Sequence, residues 1–270
     1  SGDGQRLFIG APYHNTNQGR VRMYEYNSGS NTWDVIATLN STLANTFFGQ
    51  QIDTNQDGTL LFNNESNTTV QVYSIPKGST TFTKLVGQNM TAKSSQFMVS
   101  RDGTAVIGYP TRTDYLSVYK YSGGTWNTIT TATSLKNDGV GSQPGRLRGM
   151  DISDGGNRVV FFDDDTTPNS IHIYEYGGGT TWTKMASFQD NPPDVQNLGF
   201  STYWGGNVNI SRDGNRVMVG AYTSQKPGDQ YSGRGAFLIY EWDGTSWSQT
   251  DLVSGKVMSQ LEGDVAKMSG

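Results

Sequence analysis

Several kinds of residue and pattern are absent from this chain or scarce in it, and each shortage narrows what the protein can be. None of the 270 residues is cysteine, so neither a disulfide nor a thiolate metal site can form. The two histidines, His14 and His172, are far apart in sequence and lack the spacing of metal ligands. No run of about 18 apolar residues occurs, which excludes a transmembrane helix and predicts no membrane insertion.

Charge is also scarce. Charged residues make up 16% of the chain and the net charge is −4, so there is no basic surface for nucleic acid and no nucleic-acid partner is predicted. The apolar share of 34% is low for a globular chain. Disorder is nevertheless excluded, because aromatic and β-branched residues are abundant and regularly spaced. Many short strands joined by turns explain this composition, including its 34 glycines.

An internal repeat is the dominant pattern. Each copy opens with a turn such as Ser211-Arg212-Asp213-Gly214, followed by an apolar strand such as Val217–Ala221. The turn glycine recurs at five positions, namely Gly4, Gly58, Gly103, Gly156 and Gly214. A second strand then ends in tyrosine, at Tyr24, Tyr73, Tyr119, Tyr174 and Tyr240. A glycine- or serine-rich turn and an aromatic residue complete each copy, at Trp33, Phe82, Trp126, Trp182 and Trp247.

Each copy is interpreted as four antiparallel strands, A to D, that form one blade. Strand B is nearly all apolar, as in Arg158–Phe162, which suits a strand covered on both faces. One blade cannot bury both faces alone, so the copies are expected to stack around an axis. The predicted fold is therefore all-β: a five-bladed β-propeller forming a single domain over residues 1–270. Its units span about 1–45, 46–93, 94–145, 146–202 and 203–262.

The first unit begins after its strand A. Residues Gly263–Ser269 match strand A of the fifth unit, so 263–270 is predicted to complete the first blade as a docked strand. In this register Ser269-Gly270 falls on the position of Ser1-Gly2, and the two chain ends overlap there.

The repeat resembles the FG-GAP family, the integrin-type propeller repeat of many extracellular proteins. Phe48-Gly49 on strand A of the second unit and Gly10-Ala11-Pro12 on strand B of the first carry the resemblance, and Trp204-Gly205 is a near match. The resemblance covers the whole chain and implies a propeller, while leaving the function open. The calcium loop of many such repeats, Asp-x-Asp-x-Asp-Gly, is absent, so calcium is not carried over and no cofactor is predicted.

In such a blade the A–B and C–D turns share one edge, here called the turn edge, and the B–C and D–A loops share the other, the loop edge. The turns are short and uniform, whereas the loops vary widely in length, so any ligand or partner is expected at the loop edge. Loop aromatics outside the repeat pattern are the predicted contacts: Phe200, Tyr203, Trp204, Tyr222 and Tyr231.

No catalytic set is recognisable. Asp163, Asp164 and Asp165 form the densest charge cluster and are weak metal candidates, although a solvated acidic loop explains them better. Ser/His/Asp catalysis would have to use His14, expected at the surface, or His172, expected on a blade face. A glycosidase would draw separated carboxylates from different blades, and nothing marks such a set.

Sequons occur at Asn40, Asn64, Asn67, Asn89 and Asn209, which is about the number that chance would give. The first four are expected in loops at the loop edge and are the glycosylation candidates, whereas Asn209 lies in strand A. Together these observations predict a non-catalytic, extracellular or cell-surface structural or interaction module, with glycan expected at these sequons. Its predicted partner is itself, as a homo-oligomer or filament, or another surface protein or glycan. The alternative is a lectin or adhesin that binds carbohydrate through the loop edge.

Overall fold

A computed structural model describes residues 1–66, 69–85, 90, 97–108, 116–130, 135, 147–163, 170–189, 207–221 and 236–254. Within these ranges the chain is all-β, with nineteen strands in five antiparallel sheets. Helical geometry in the same ranges is confined to a distorted single turn, α1 (His14–Asn17), and a 3-10 turn (Asp154–Gly156). No helix in the described part of the chain is long and apolar enough to cross a bilayer.

The chain divides into two compact units, and the first comprises Ser1–Thr111 with Ser117–Thr128. It contains three sheets, each with its strands hydrogen-bonded in sequence order. Sheet 1 consists of β1 (Arg6–Ala11), β2 (Arg20–Asn27) and β3 (Thr32–Asn40). Sheet 2 consists of β4 (Ile52–Thr54), β5 (Leu60–Ser66), β6 (Thr69–Ser74) and β7 (Thr83–Lys84). Sheet 3 consists of β8 (Phe97–Val99), β9 (Ala105–Gly108), β10 (Ser117–Ser122) and β11 (Thr125–Thr128).

The second unit comprises Arg112–Leu116 with Ile129–Gly270 and contains two four-stranded sheets among its described residues. Sheet 4 consists of β12 (Leu147–Ile152), β13 (Arg158–Asp163), β14 (Ser170–Gly178) and β15 (Thr181–Gln189). Sheet 5 consists of β16 (Asn207–Ile210), β17 (Arg216–Ala221), β18 (Ala236–Trp242) and β19 (Trp247–Ser254). The predicted A-B-C-D strand order is confirmed in sheets 2 to 5. Sheet 1 has three described strands, and its predicted fourth, 263–270, lies outside the described residues.

The A–B turns repeat one hydrogen-bonding pattern at the turn edge. In sheet 5 the Ser211 amide donates to the Arg216 carbonyl at 2.8 Å, and the Arg216 amide donates back to the Ser211 hydroxyl at 2.9 Å. Ser100 and Ser153 make the same pair of bonds in sheets 3 and 4. In sheet 1 the amino group of Ser1 donates to the Arg6 carbonyl at 2.9 Å. Ser1 therefore occupies the turn position that the sequence register had also offered to Ser269.

Apolar side chains between neighbouring sheets make the cores of both units. In the second unit, Val160 and Phe162 of β13 pack with Val217 and Val219 of β17. The alternate residue of β13, Phe161, faces the other way and is also fully buried. Strand B is thus covered on both faces, as its continuous apolar pattern predicted.

In two sheets an arginine at the start of strand B donates a hydrogen bond to the A–B turn of the following sheet. Arg6, at the start of β1, pairs with Glu25 of β2 at 2.7 Å and donates to the Gly58 carbonyl of the second A–B turn at 2.9 Å. Arg158 in sheet 4 likewise pairs with Glu175 and donates to the Gly214 carbonyl at 3.0 Å. These bonds satisfy turn carbonyls that would otherwise be buried without a donor.

Candidate functional site

Backbone strain is concentrated in two loops at the loop edge of the first unit. Six non-glycine residues in the described chain have positive φ, and five of them lie in residues 12–19 and 41–51. These five are Asn15, Thr16, Asn17, Asn45 and Phe47, while the sixth, Asn31, lies in a C–D turn. Positive φ is tolerated by asparagine but costly for threonine and phenylalanine, and such strain clusters at functional sites. We call these two segments the loop pair.

The first loop, residues 12–19, joins β1 to β2 through the irregular turn α1. Asn15, Thr16 and Asn17 have φ of 49°, 55° and 64°, so three consecutive residues are left-handed. The Gly19 amide closes the loop by donating to the His14 carbonyl at 2.9 Å. The Asn15 side-chain amide also donates to the Gln18 side chain. The loop is therefore held in its strained form by local bonds.

The second loop, residues 41–51, joins β3 to β4 and is bonded to the first loop along its length. The Phe47 amide donates to the Asn17 carbonyl at 3.1 Å, and the Phe48 amide donates to the Gln18 carbonyl at 3.2 Å. The Thr46 hydroxyl reaches the same Gln18 carbonyl at 2.9 Å. These bonds make the two loops one structural unit.

Three glycines permit this close approach. A Cβ on Gly19 would overlap the Phe48 carbonyl oxygen, and a Cβ on Gly10 would overlap the carbonyl oxygen of Gly49. Gly49 itself has φ of 84° and donates its amide to the buried Asn63 side chain at 2.8 Å. No larger residue fits at these positions without moving backbone.

Phe48 anchors the second loop in the core. Its ring is almost fully buried and meets the Tyr73 ring edge-on, with centroids 6.0 Å apart. The Phe48-Gly49 pair is thus explained by local packing: the phenylalanine fixes the loop and the glycine allows the backbone to pass β2.

The outer surface of the loop pair is aromatic and uncharged. Tyr13 is 74% exposed and meets the Phe47 ring edge-on at 6.0 Å and 83°. His14 is also exposed beside it. Neither 12–19 nor 41–51 contains an aspartate, glutamate, lysine or arginine.

The two histidines lie in opposite environments. His172, in β14, is buried with its ring 5.4 Å from that of Phe161 and 6.4 Å from that of Tyr174, measured between centroids. Its side chain is therefore almost closed to solvent. His14 is the histidine available to chemistry, and the expected surface position for it is confirmed.

Most of the site residues proposed from the sequence lie where the structure does not describe them. This applies to the five loop aromatics Phe200, Tyr203, Trp204, Tyr222 and Tyr231, to Asp164 and Asp165, and to Asn67 and Asn89. Asp163 is the last residue of β13. Among the described residues no cluster of three or more histidine, aspartate or glutamate side chains could hold a metal ion.

The two remaining glycosylation candidates have different environments. Asn40 ends β3 and is exposed, so its side chain is accessible. Asn64 lies within β5 and is almost fully buried, which corrects the expectation that it lies in a loop. The strand extends further than predicted because Asn64 pairs with Val70 of β6, continuing the ladder past the apolar residues.

The sheet order, the register and the repeated turns define an all-β protein whose sheets are those of β-propeller blades. No sequence-family model matches the chain, and no curated protein resembles it in sequence. Solved structures do resemble it in fold. One, from Bacteroides uniformis and provisionally named a 6-phosphogluconolactonase, has a TM-score of 0.56 at 12% identity, covering 94% of this chain and 69% of its own.

Two further structures give a similar result. A Bacteroides fragilis protein with the same provisional name has a TM-score of 0.50 at 12% identity, over 97% of this chain and 83% of its own. A Lactobacillus plantarum protein has a TM-score of 0.55 at 14% identity, over 92% of this chain and 67% of its own. At such identities the likeness establishes a shared fold.

These comparisons correct the family expectation. The chain does not belong with the FG-GAP repeat proteins, because no family model matches it and its structural neighbours include proteins named as lactonases. The two short motifs misled because they reflect close packing of a loop against a strand, which Phe48, Gly49 and Gly10 provide here without any family relationship.

The functional expectation is corrected as well. The prediction of a non-catalytic structural, glycosylated or filament-forming module, with a lectin as its alternative, is wrong on the same comparison, since neighbours named as lactonases are enzymes. It rested on the lack of a recognisable catalytic motif. Catalytic groups on loops come together only in three dimensions, so they leave no fixed spacing in the sequence.

Proposed function

We propose that this protein is a hydrolase that opens the ring of a lactone at the loop pair. The reaction class is suggested by the fold neighbours that are named 6-phosphogluconolactonases, one of which matches 94% of the chain. The location is suggested by this chain itself, because the loop pair collects five of the six strained non-glycine residues described.

The chemistry requires few groups. A lactone is a cyclic ester, so a water oxygen attacks the carbonyl carbon while a base accepts the water proton. The ring C–O bond then breaks, and the departing alkoxide takes up that proton to give an open-chain hydroxy acid. We assign the base to His14, since an imidazole can accept and return a proton near neutral pH. The observation that carries this assignment is that His14 is exposed on the loop pair, whereas His172 is sealed in sheet 4.

The test is hydrolysis of simple δ-lactones followed by pH-stat titration, with the spontaneous rate subtracted. We expect turnover by the full chain and a loss of about 100-fold in kcat for His14→Gln, in the usual range for a general base. Lys77→Gln is the matched control, because Lys77 is an exposed residue near the turn edge that pairs with Asp3. No turnover above background across several ring sizes would refute the hydrolase. Turnover that survives in His14→Gln would refute the role of His14 alone.

We further propose that the five sheets are the blades of one five-bladed propeller in a single domain, with sheet 1 completed by residues 263–270. The sequence repeat and the three described strands of sheet 1 support this. Deleting 263–270 should then raise the hydrogen-exchange rate of the β1 amides. Unchanged exchange would refute the completed blade.

The extracellular location and a homo-oligomeric or surface partner remain predictions from the sequence. Fractionation of the source cells tests the location, and sedimentation velocity over a hundredfold range of concentration tests self-association.

A further inference from the structure

We propose that the loop pair takes an uncharged, polyhydroxylated lactone and discriminates against a phosphorylated one. This inference rests on the proposed hydrolase function and names its substrate class. It differs from the phosphorylated substrate that the names of the two Bacteroides neighbours imply, and it follows from the charge and the aromatic surface of this chain's own loops.

The first argument is the absence of cations in the loop pair. Residues 12–19 and 41–51 contain no lysine or arginine. A phosphate group is ordinarily held by arginine or lysine, or by the amino end of a helix. The turn α1 has four residues with left-handed members, so it provides no helix dipole. A phosphorylated substrate would therefore lose its hydration here without gaining a counter-charge.

The second argument concerns the cations nearest in sequence, Arg20 and Arg22 of β2. Side chains alternate between the two faces of a strand, and Val21 packs with Phe48 on the face that carries the second loop. Arg20 and Arg22 consequently point to the opposite face of sheet 1. Their charge therefore lies on the face of β2 away from Val21 and Phe48.

The third argument is the chemistry of the exposed surface. Tyr13 offers an open ring face supported edge-on by Phe47, which suits the apolar C–H face of a sugar ring. The first loop also carries the side-chain amides of Asn15, Asn17 and Gln18, of which Asn15 donates to Gln18. Amides both donate and accept hydrogen bonds, so they match hydroxyl groups, which do the same. The surface thus recognises hydroxyls and ring faces, and it does not recognise charge.

The test compares glucono-δ-lactone with its 6-phosphate in the full-length protein. We expect kcat/KM to favour the neutral lactone by at least about tenfold, which corresponds to about 1.4 kcal/mol. Leu43→Lys places a cation at an exposed position on the second loop. It should reduce the kcat/KM ratio of the neutral to the phosphorylated lactone several-fold. Lys77→Gln, whose cation lies near the turn edge, should leave the ratio unchanged. A preference for the phosphorylated lactone in the unmodified chain would overturn the inference.

Binding separates this inference from the hydrolase proposal. The ring-amide analogue, glucono-δ-lactam, resists hydrolysis and reports recognition alone. We expect calorimetry to show that the lactam binds the unmodified protein. Tyr13→Ala should lower its affinity about tenfold while leaving the far-UV circular dichroism spectrum unchanged. Binding of the lactam without turnover of any lactone would refute the hydrolase and uphold the ligand class. If the lactam does not bind, or if Tyr13→Ala does not change its affinity, the proposed ligand class is wrong even if lactones are hydrolysed.

Discussion

The two edges of these sheets are built in different ways. At the turn edge one arrangement recurs, with the turn glycines of all five copies at φ between 61° and 75°. In the four copies whose turn begins with serine the serine–backbone bonds are nearly identical in length, and Asn55 takes the place of serine in sheet 2. At the loop edge the loop pair holds five of the six non-glycine residues with positive φ in the described part of the chain. Repetition indicates a structural requirement common to every sheet, whereas costly strain gathered in one place indicates a local function.

The largest expected effect tests whether Gly19 is required for the close approach of the two loops as well as for its positive φ. Gly19→Ala should destabilise the protein by roughly 4 kcal/mol, because a Cβ meets the Phe48 carbonyl and positive φ disfavours alanine. Gly123→Ala, in a C–D turn with φ of 61° and open space around it, should cost about 1 kcal/mol. Urea unfolding of both variants measures the difference, and equal losses would contradict the close approach of the loops.

The next effect concerns the repeated arginine, whose surroundings differ between copies. Arg6 is 3% exposed, and replacing it by methionine should cost about 3 kcal/mol, since Glu25 and the Gly58 carbonyl lose a buried donor. Arg216 makes the same pair with Glu241 but is 56% exposed, so Arg216→Met should cost less than about 1 kcal/mol. Thermal unfolding measures both losses of stability. A larger loss for Arg216→Met than for Arg6→Met would show that burial does not determine how much this ion pair stabilises the protein.

A smaller effect of opposite sign tests whether the strain serves function. Thr16→Gly should stabilise the protein by about 1 kcal/mol, since glycine adopts positive φ without the penalty of a branched side chain. We expect lactone turnover to fall at the same time, because the loop loses its fixed shape. Asn31→Gly is the control: it relieves positive φ in a C–D turn and should leave turnover intact. If Thr16→Gly gains stability with full activity, the strain has no functional role.

The smallest effect concerns acid stability at the turn edge. The Ser211 hydroxyl, followed by the Asn215 amide, holds the pKa of Asp213 below its ordinary value of 3.8. A carboxyl with a lowered folded-state pKa stabilises the protein above its unfolded pKa, and this contribution is lost as the pH falls through the folded value. Asp213→Asn should therefore be less stable than the unmodified chain at about pH 5, and the difference in stability should shrink as the pH falls below 3.8 toward the folded-state pKa.

The loop pair supplies the control for this pH dependence. It contains no carboxylate, so Leu43→Lys should keep the acid dependence of the unmodified protein. If the difference in stability between Asp213→Asn and the unmodified chain stays constant as the pH falls, the carboxylate of Asp213 is not protonated in that range.

How much was predictable differs between the two edges. The turn edge follows from the sequence, because Ser211-Arg212-Asp213-Gly214 contains the donor, the acceptor and the residue that tolerates positive φ within four positions. The loop pair was missed. In the sequence, Gly10 and Phe48-Gly49 resemble a family motif, whereas in the structure they are packing residues of the loop pair. An uncharged stretch such as Asn15–Gln18, paired with the equally uncharged 41–51, was the pattern that could have indicated a site.

By itself the sequence determined the strands, their order within each sheet and the turn glycines, because these depend on residues close together along the chain and on alternation within a strand. Only the tertiary structure decided that Phe47 and Phe48 lie against Asn17 and Gln18, roughly thirty positions earlier, and that Tyr13 stands exposed on Phe47. It also decided which histidine is accessible, since burial depends on what neighbouring strands and sheets cover. Contacts between loops obey no fixed spacing, so folding had to bring them together before the site existed.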